Sequence, residues 1–155
     1  MKTLFIMRHG QAQAKASSDA ERALTARGEA DVERVANALS DELSDLDQLW
    51  VSPYRRARQT AAIVNQVLGR GVEPVETELL TPEADLEALC AQLQACEEDN
   101  LMLVSHMPLV GDLIHHLTGA EPGRYSMGTA SVACLTLDVV AGGVGELRWL
   151  RHRED

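Results

Sequence analysis

Apolar and polar positions fall in blocks along the chain, and the spacing changes from block to block. Thr3 to Met7 (TLFIM) is a short continuous apolar run, the pattern of a strand buried on both faces. From Ala26 to Leu43 the spacing becomes helical, with Ala30, Val32, Val35, Ala36 and Leu39 on one face and Thr25 placed to cap its start. Leu46 to Val51 reads as a second strand, which Ser52-Pro53 ends while opening a helix from Tyr54 to Leu68. Val72 to Val75 is a weak third strand, and Pro82 to Ala95 is helical with Leu86, Leu89 and Leu93 along one side. Leu101 to Ser105 is the cleanest strand, followed at Pro108 by a helix to Leu117. Ala130 to Val139 and Gly145 to Leu150 form a terminal hairpin around Gly142-Gly143.

Strands that alternate with helices predict an α/β fold. The expected form is a three-layer sandwich, with a mostly parallel central sheet, an antiparallel edge from the hairpin, and helices on both faces. No repeat, low-complexity tract or linker interrupts residues 1–155, so a single domain is expected. The longest apolar runs are too short to span a bilayer. The N-terminus passes directly into a strand rather than a leader, which points to the cytoplasm. Cys90, Cys96 and Cys134 form an odd set without a CxxC pair; three reduced, mostly buried thiols are expected rather than a disulfide framework or a zinc cluster.

Charge narrows the function. The net charge of -10 is unevenly spread: residues 1–70 hold 10 Lys or Arg against 9 Asp or Glu, whereas residues 71–123 hold 11 acidic residues and no Lys or Arg. Such a field does not favour nucleic acid or anionic membranes. An anion would need a local arginine cluster, and most arginines lie in the first 60 residues.

In open α/β sheets, ligands bind outside the C-terminal ends of the strands. Three predicted strands end in residues that can do chemistry: Arg8-His9-Gly10, Ser52-Pro53 with Arg55, Arg56 and Arg58 after it, and Ser105-His106. A neutral imidazole is a good nucleophile towards phosphorus, and Arg8 can neutralise phosphoryl oxygens. Gly10 permits a tight turn and close ligand approach. Cations in the first turn of a helix oppose its dipole, and a bound anion would explain them. Alone, each element also has an ordinary reading: a turn His beside a surface Arg, a solvated basic face, a core His. His115 and His116 are adjacent in a helix, hence one packed and one exposed imidazole, and His152 reads as surface.

Arg8-His9-Gly10 (an RHG motif), Leu24-Thr25-Ala26-Arg27-Gly28, Ser52-Pro53-x-x-Arg56-Ala57-x-Gln59-Thr60 and Ser105-His106 together resemble, in order and spacing, the histidine phosphatase (phosphoglycerate mutase-like) superfamily. The short length and the segment Ser105-His106-Met107-Pro108-Leu109-Val110 are most similar to its SixA-type phosphohistidine phosphatase branch. The resemblance covers roughly Thr3 to Leu117. It implies a hydrolase in which His9 attacks phosphorus, becomes a phosphohistidine and is freed by water. Arg8, Arg56 and His106 would hold the phosphoryl oxygens, and Arg22 matches a further phosphate-pocket arginine of the SixA branch. It implies no metal and no other cofactor.

Of the three helix-start arginines, Arg56 alone matches the family position, which leaves Arg55 and Arg58 as surface. The stretch Glu76 to Asp85 lacks the glycine-bearing pattern around the acid of many relatives; Glu78 is the nearest candidate. Without a long inserted lid, the pocket suits a phosphorylated protein. The expected function is protein dephosphorylation at phosphohistidine, with a small-molecule phosphomonoesterase of the same superfamily as the alternative. A mutase needs a more enclosed site, a non-catalytic phosphate-binding module would not need His9, and a metallophosphatase would need carboxylates in the strand-end motifs.

Overall fold

A computed structural model describes residues 1–155. The chain order is β1 (Lys2–Arg8), α1 (Ala26–Ala38), β2 (Gln48–Val51), α2 (Arg55–Leu68), β3 (Pro74–Glu76), α3 (Leu86–Ala95), β4 (Asn100–Ser105), α4 (Leu109–Thr118), β5 (Val132–Leu137) and β6 (Glu146–Arg151). Short 3-10 turns stand at Asp19–Glu21 and Glu78–Leu80. One sheet runs in the order β3-β2-β4-β1-β5-β6. Strands β3, β2, β4 and β1 are parallel neighbours, and β5 and β6 add the antiparallel edge. This is the expected mixed α/β sheet.

The continuous apolar runs follow from burial on both faces. Along β1, Phe5 and Met7 join a core with Val32 and Val35 of α1 and Ala57, Ala61 and Val64 of α2. Leu4 and Ile6 point the other way, into a core with Leu89 and Leu93 of α3 and Leu113 and Ile114 of α4. β4 divides in the same manner, Met102 and Val104 against Leu101 and Leu103. Because β4 lies between β1 and β2, the ends of these three strands meet at one edge of the sheet.

Element limits differ from expectation where side chains compete for the backbone. α1 stops at Ala38 although Leu39, Leu43 and Leu46 keep the apolar spacing and are buried. Ser40 to Asp45 form irregular turns instead, with Ser44 Oγ donating to the Asp41 carbonyl at 2.7 Å. α3 begins at Leu86 rather than Pro82, because the Asp85 carboxylate accepts from Ala88 N at 3.2 Å and caps the helix there. β3 starts at Pro74, a residue an edge strand tolerates at its first position. No helix is long and apolar enough to cross a membrane. The three cysteines are free thiols, of which Cys134 is buried while Cys90 and Cys96 are only half-buried.

Candidate active site

The backbone after β1 is held from several directions. Arg8 N donates to the Ser131 carbonyl and His9 N to the Ser105 carbonyl, each at 3.0 Å. Ala130 N donates to both the Arg8 and His9 carbonyls, at 3.1 and 3.0 Å, from a left-handed conformation (φ 63°) that is costly for alanine. Gly10 N donates to Thr60 Oγ1 at 3.1 Å, and that hydroxyl donates to the Arg56 carbonyl at 2.8 Å. Gln59 Oε1 accepts from Leu24 N at 2.7 Å. The Gln59-Thr60 pair therefore fastens the loop after β1 to α2. Gly10 serves packing rather than an unusual φ: a Cβ there would lie 2.7 Å from Val32 Cγ2 and 2.9 Å from the Gly28 carbonyl oxygen. A Cβ at Gly28 would overlap the Gln11 carbonyl.

Three of the expected residues meet in a buried cluster: His9 (6% exposed), Arg56 (4%) and His106 (1%). The ring centroids of His9 and His106 are 5.0 Å apart. His9 Nδ1 lies 2.7 Å from the Gly10 carbonyl, which can only accept, so the ring hydrogen sits on Nδ1 and Nε2 keeps its lone pair. Arg56 Nε donates to that Nε2 at 3.3 Å. Burial pushes the His9 imidazole down, against the pull of the Gly10 carbonyl, and Arg56, Arg8 and Arg22 lower it further, to about 4. The ring is thus neutral at pH 7.

His106 is likewise neutral: burial, then His9 and Arg56, bring its imidazole down to about 3. Its Nε2 is 2.7 Å from Ser52 Oγ, which also accepts Tyr54 N–H at 3.2 Å. Its Nδ1 is buried without a protein partner. The tautomer that suits these atoms has Ser52 donating to Nε2 and the ring hydrogen on Nδ1, where no protein acceptor meets it. Arg8 is half-buried, with Nη1 donating to the Met127 carbonyl at 2.9 Å and Nε buried and unpartnered. Arg55 and Arg58 are exposed; Arg58 Nε donates to the Pro53 carbonyl at 3.0 Å.

Arg22 stands at the rim, 29% exposed, and donates through Nε to the Gln13 carbonyl at 2.7 Å. It reaches Arg56 through Asp19, whose Oδ1 lies 2.8 Å from Arg22 Nη1 and whose Oδ2 lies 3.2 Å from Arg56 Nη2. Sequence reasoning missed Asp19, which carries no motif signal. It also missed Arg153, bound to Thr129 Oγ1 at 2.6 Å and near enough to depress the Arg8 guanidinium, after burial. Ser52 was visible in the motif without its partner. A cleft of about 370 Å³ opens beside the cluster, lined by Asp19, Tyr54, Glu78, Thr81, Pro82 and Glu83. The remaining histidines lie away from the cluster: His115 accepts from Tyr125 N, His116 is exposed, and His152 is half-buried against Ser131 Oγ at 2.9 Å rather than a free surface ring. No group of three His, Cys, Asp or Glu side chains is arranged to hold a metal ion.

The model of the histidine phosphatase superfamily (branch 1) matches residues 4–87. The phosphohistidine phosphatase SixA of Escherichia coli (strain K12) is 35% identical over 150 residues, covering 94% of this chain and 91% of that protein. A SixA homolog from Haemophilus influenzae is 34% identical over 145 residues, or 87% of this chain and 88% of its own. The solved structure of the protein histidine phosphatase SixA complexed with tungstate superposes with a TM-score of 0.87 at 34% identity, covering 97% of both chains. On its fold, its strand-end cluster and these likenesses, the chain belongs to the histidine phosphatase superfamily.

Proposed function

We propose that this chain is a phosphohistidine phosphatase that removes phosphate from a phosphorylated histidine in a protein, through a phosphoenzyme on His9. The observation that carries the reading is the neutral His9, with Nδ1 committed to the Gly10 carbonyl and the Nε2 lone pair beside Arg56 Nε. Nε2 attacks phosphorus in line, the N–P bond to the substrate imidazole breaks, and that ring keeps the bonding pair and leaves as a neutral imidazole whose other nitrogen already carries a proton. Water then attacks the phosphorus on His9, which releases inorganic phosphate and restores the neutral ring. Arg56, Arg8 and the Nδ1–H of His106 hold the phosphoryl oxygens and stabilise the charge that develops on them. Arg22 supports the same oxygens from the rim. The SixA relative that holds tungstate, a tetrahedral oxyanion, supports a phosphoryl site here.

The leaving group explains the preference for P–N bonds. Imidazolium has a pKa of about 6.5, so a protonated ring departs without a strong acid from the enzyme. An alkoxide needs a positioned proton donor. Partial burial pushes the Asp19 carboxyl up, but bonds and charges from Arg56 and Arg22 win and hold it below the usual carboxylate range. In the free enzyme Asp19 is therefore ionised at neutral pH.

The chain works as a single domain over residues 1–155, in the cytoplasm, where three free thiols stay reduced. Its partner is a phosphorylated protein, with neither nucleic acid nor membrane involved. The test is a turnover comparison of a phosphohistidine protein, phosphoserine and a sugar phosphate. Phosphohistidine should be far the fastest; equal rates on all three would favour the small-molecule phosphomonoesterase.

A further inference from the structure

All three nitrogens of the Arg56 guanidinium are engaged before any substrate arrives. Nε donates to His9 Nε2 at 3.3 Å, Nη2 faces Asp19 Oδ2 at 3.2 Å, and Nη1 donates to the Asp19 carbonyl at 2.7 Å. Nε–H and Nη2–H lie parallel on one edge of the planar group, the fork that grips phosphate with two bonds. A phosphoryl group under attack by His9 Nε2 must lie against that edge. Asp19 Oδ2 already pairs with Nη2, one of the two nitrogens of that edge, and Oδ1 holds Arg22 Nη1 at 2.8 Å.

The carboxylate can leave without disturbing the core. Its side chain is 56% exposed, on a 3-10 turn with no buried residue and no side-chain cap at Ser18. Asp19 lines two hollows: the cleft with Tyr54, Glu78 and Glu83, and a second of about 340 Å³ lined by Lys15, Ser18 and Arg22 among others.

We propose that Asp19 is a specificity-determining residue, a resident counter-ion of the Arg56–Arg22 clamp that a phosphoryl dianion displaces and a singly charged group does not. This rests on the reading of Arg56 as a phosphoryl ligand. The tethered carboxylate acts at high effective concentration, so a free monoanion of equal charge cannot outcompete it. A dianion gains roughly twice the Coulomb attraction to both guanidiniums and takes the fork. Carboxylate side chains and phosphodiesters, abundant on protein surfaces and nucleic acids, are held out of a cationic pocket that would otherwise accept them.

Calorimetric titration of the full chain with inorganic phosphate, dimethyl phosphate and acetate tests this at pH 7.5, without any need for turnover. Asp19→Asn keeps the shape and removes the charge; Asp19→Ala removes both oxygens. Both variants should bind inorganic phosphate about two- to fivefold more tightly than wild type, the order of one partly exposed charge pair. Both should also gain heat on titration with dimethyl phosphate or acetate, which wild type lacks. Phosphate binding that is unchanged or weaker in Asp19→Asn, in a chain that melts like wild type, would overturn the proposal and make Asp19 a support for the arginines. Phosphate binding by wild type that survives Arg56→Ala undiminished would instead overturn the assignment of Arg56 itself.

Discussion

At the scale of single residues, the site is set by which protons are already held. The Gly10 carbonyl holds the hydrogen of His9 on Nδ1, and burial with nearby guanidiniums keeps the second proton off Nε2 down to about pH 4. Between about 4 and the ordinary 6.5, the unfolded chain binds more protons at this position than the folded one. The contribution of His9 to stability is then fully present above pH 6.5 and lost as pH falls through 4. Ring 15N shifts at pH 5.5 should show a neutral, Nδ1-protonated His9; a midpoint near 6.5 would contradict this.

Arg56 gives the second prediction at this scale. It is buried against His9 while Arg55 and Arg58 face solvent. Arg56→Ala should lower kcat/KM by about 10²–10³-fold, the size of one lost charge-stabilising donor. The other two changes should each stay within about threefold, as surface substitutions do. Equal, modest losses at all three would mean a diffuse basic face.

At the scale of elements, the second motif is a fastening as much as a source of charge. Thr60 Oγ1 ties Gly10 N to the Arg56 carbonyl, and Thr60 is fully buried. Thr60→Val keeps the volume but leaves the Gly10 N–H without its partner, at a cost of about 1–3 kcal/mol. Urea denaturation should show that loss, together with a fall in kcat from a less firmly held His9. Full activity at lowered stability would separate the loop from catalysis. The strands were legible because β1 and β4 are buried on both faces and so read as unbroken apolar runs. The early end of α1 was not, since Leu39, Leu43 and Leu46 stay buried after the backbone leaves the helix.

At the scale of the whole molecule, a chain of net charge -10 concentrates Arg8, Arg22, Arg56 and Arg153 around one strand-end site. His9, Arg56 and His106 were legible because each follows a strand whose end the fold sends to the same edge. Asp19 was not: its bond to Arg56 spans 37 positions, joins a loop to a helix and has no periodicity to reveal it. A leaving group that needs no proton from the enzyme predicts a ranking, with phosphohistidine fastest, an aryl phosphate between, and alkyl phosphates slowest. Glu78, on the cleft wall, should matter little to the fastest of these. Assays of Glu78→Gln should leave phosphohistidine turnover within about twofold, as expected of a group that makes no contact in the transition state; loss of activity towards every substrate would make it the acid.

The central claim, a covalent phosphoenzyme on His9, is tested most directly by quenching the enzyme during turnover of a 32P-labelled phosphohistidine protein. The account predicts labelled enzyme that is stable to alkali and labile to acid, as a phosphoramidate is, with the label mapped to His9 and absent, along with turnover, in a folded His9→Ala chain. Label on another residue, or near-normal turnover by His9→Ala, would contradict it.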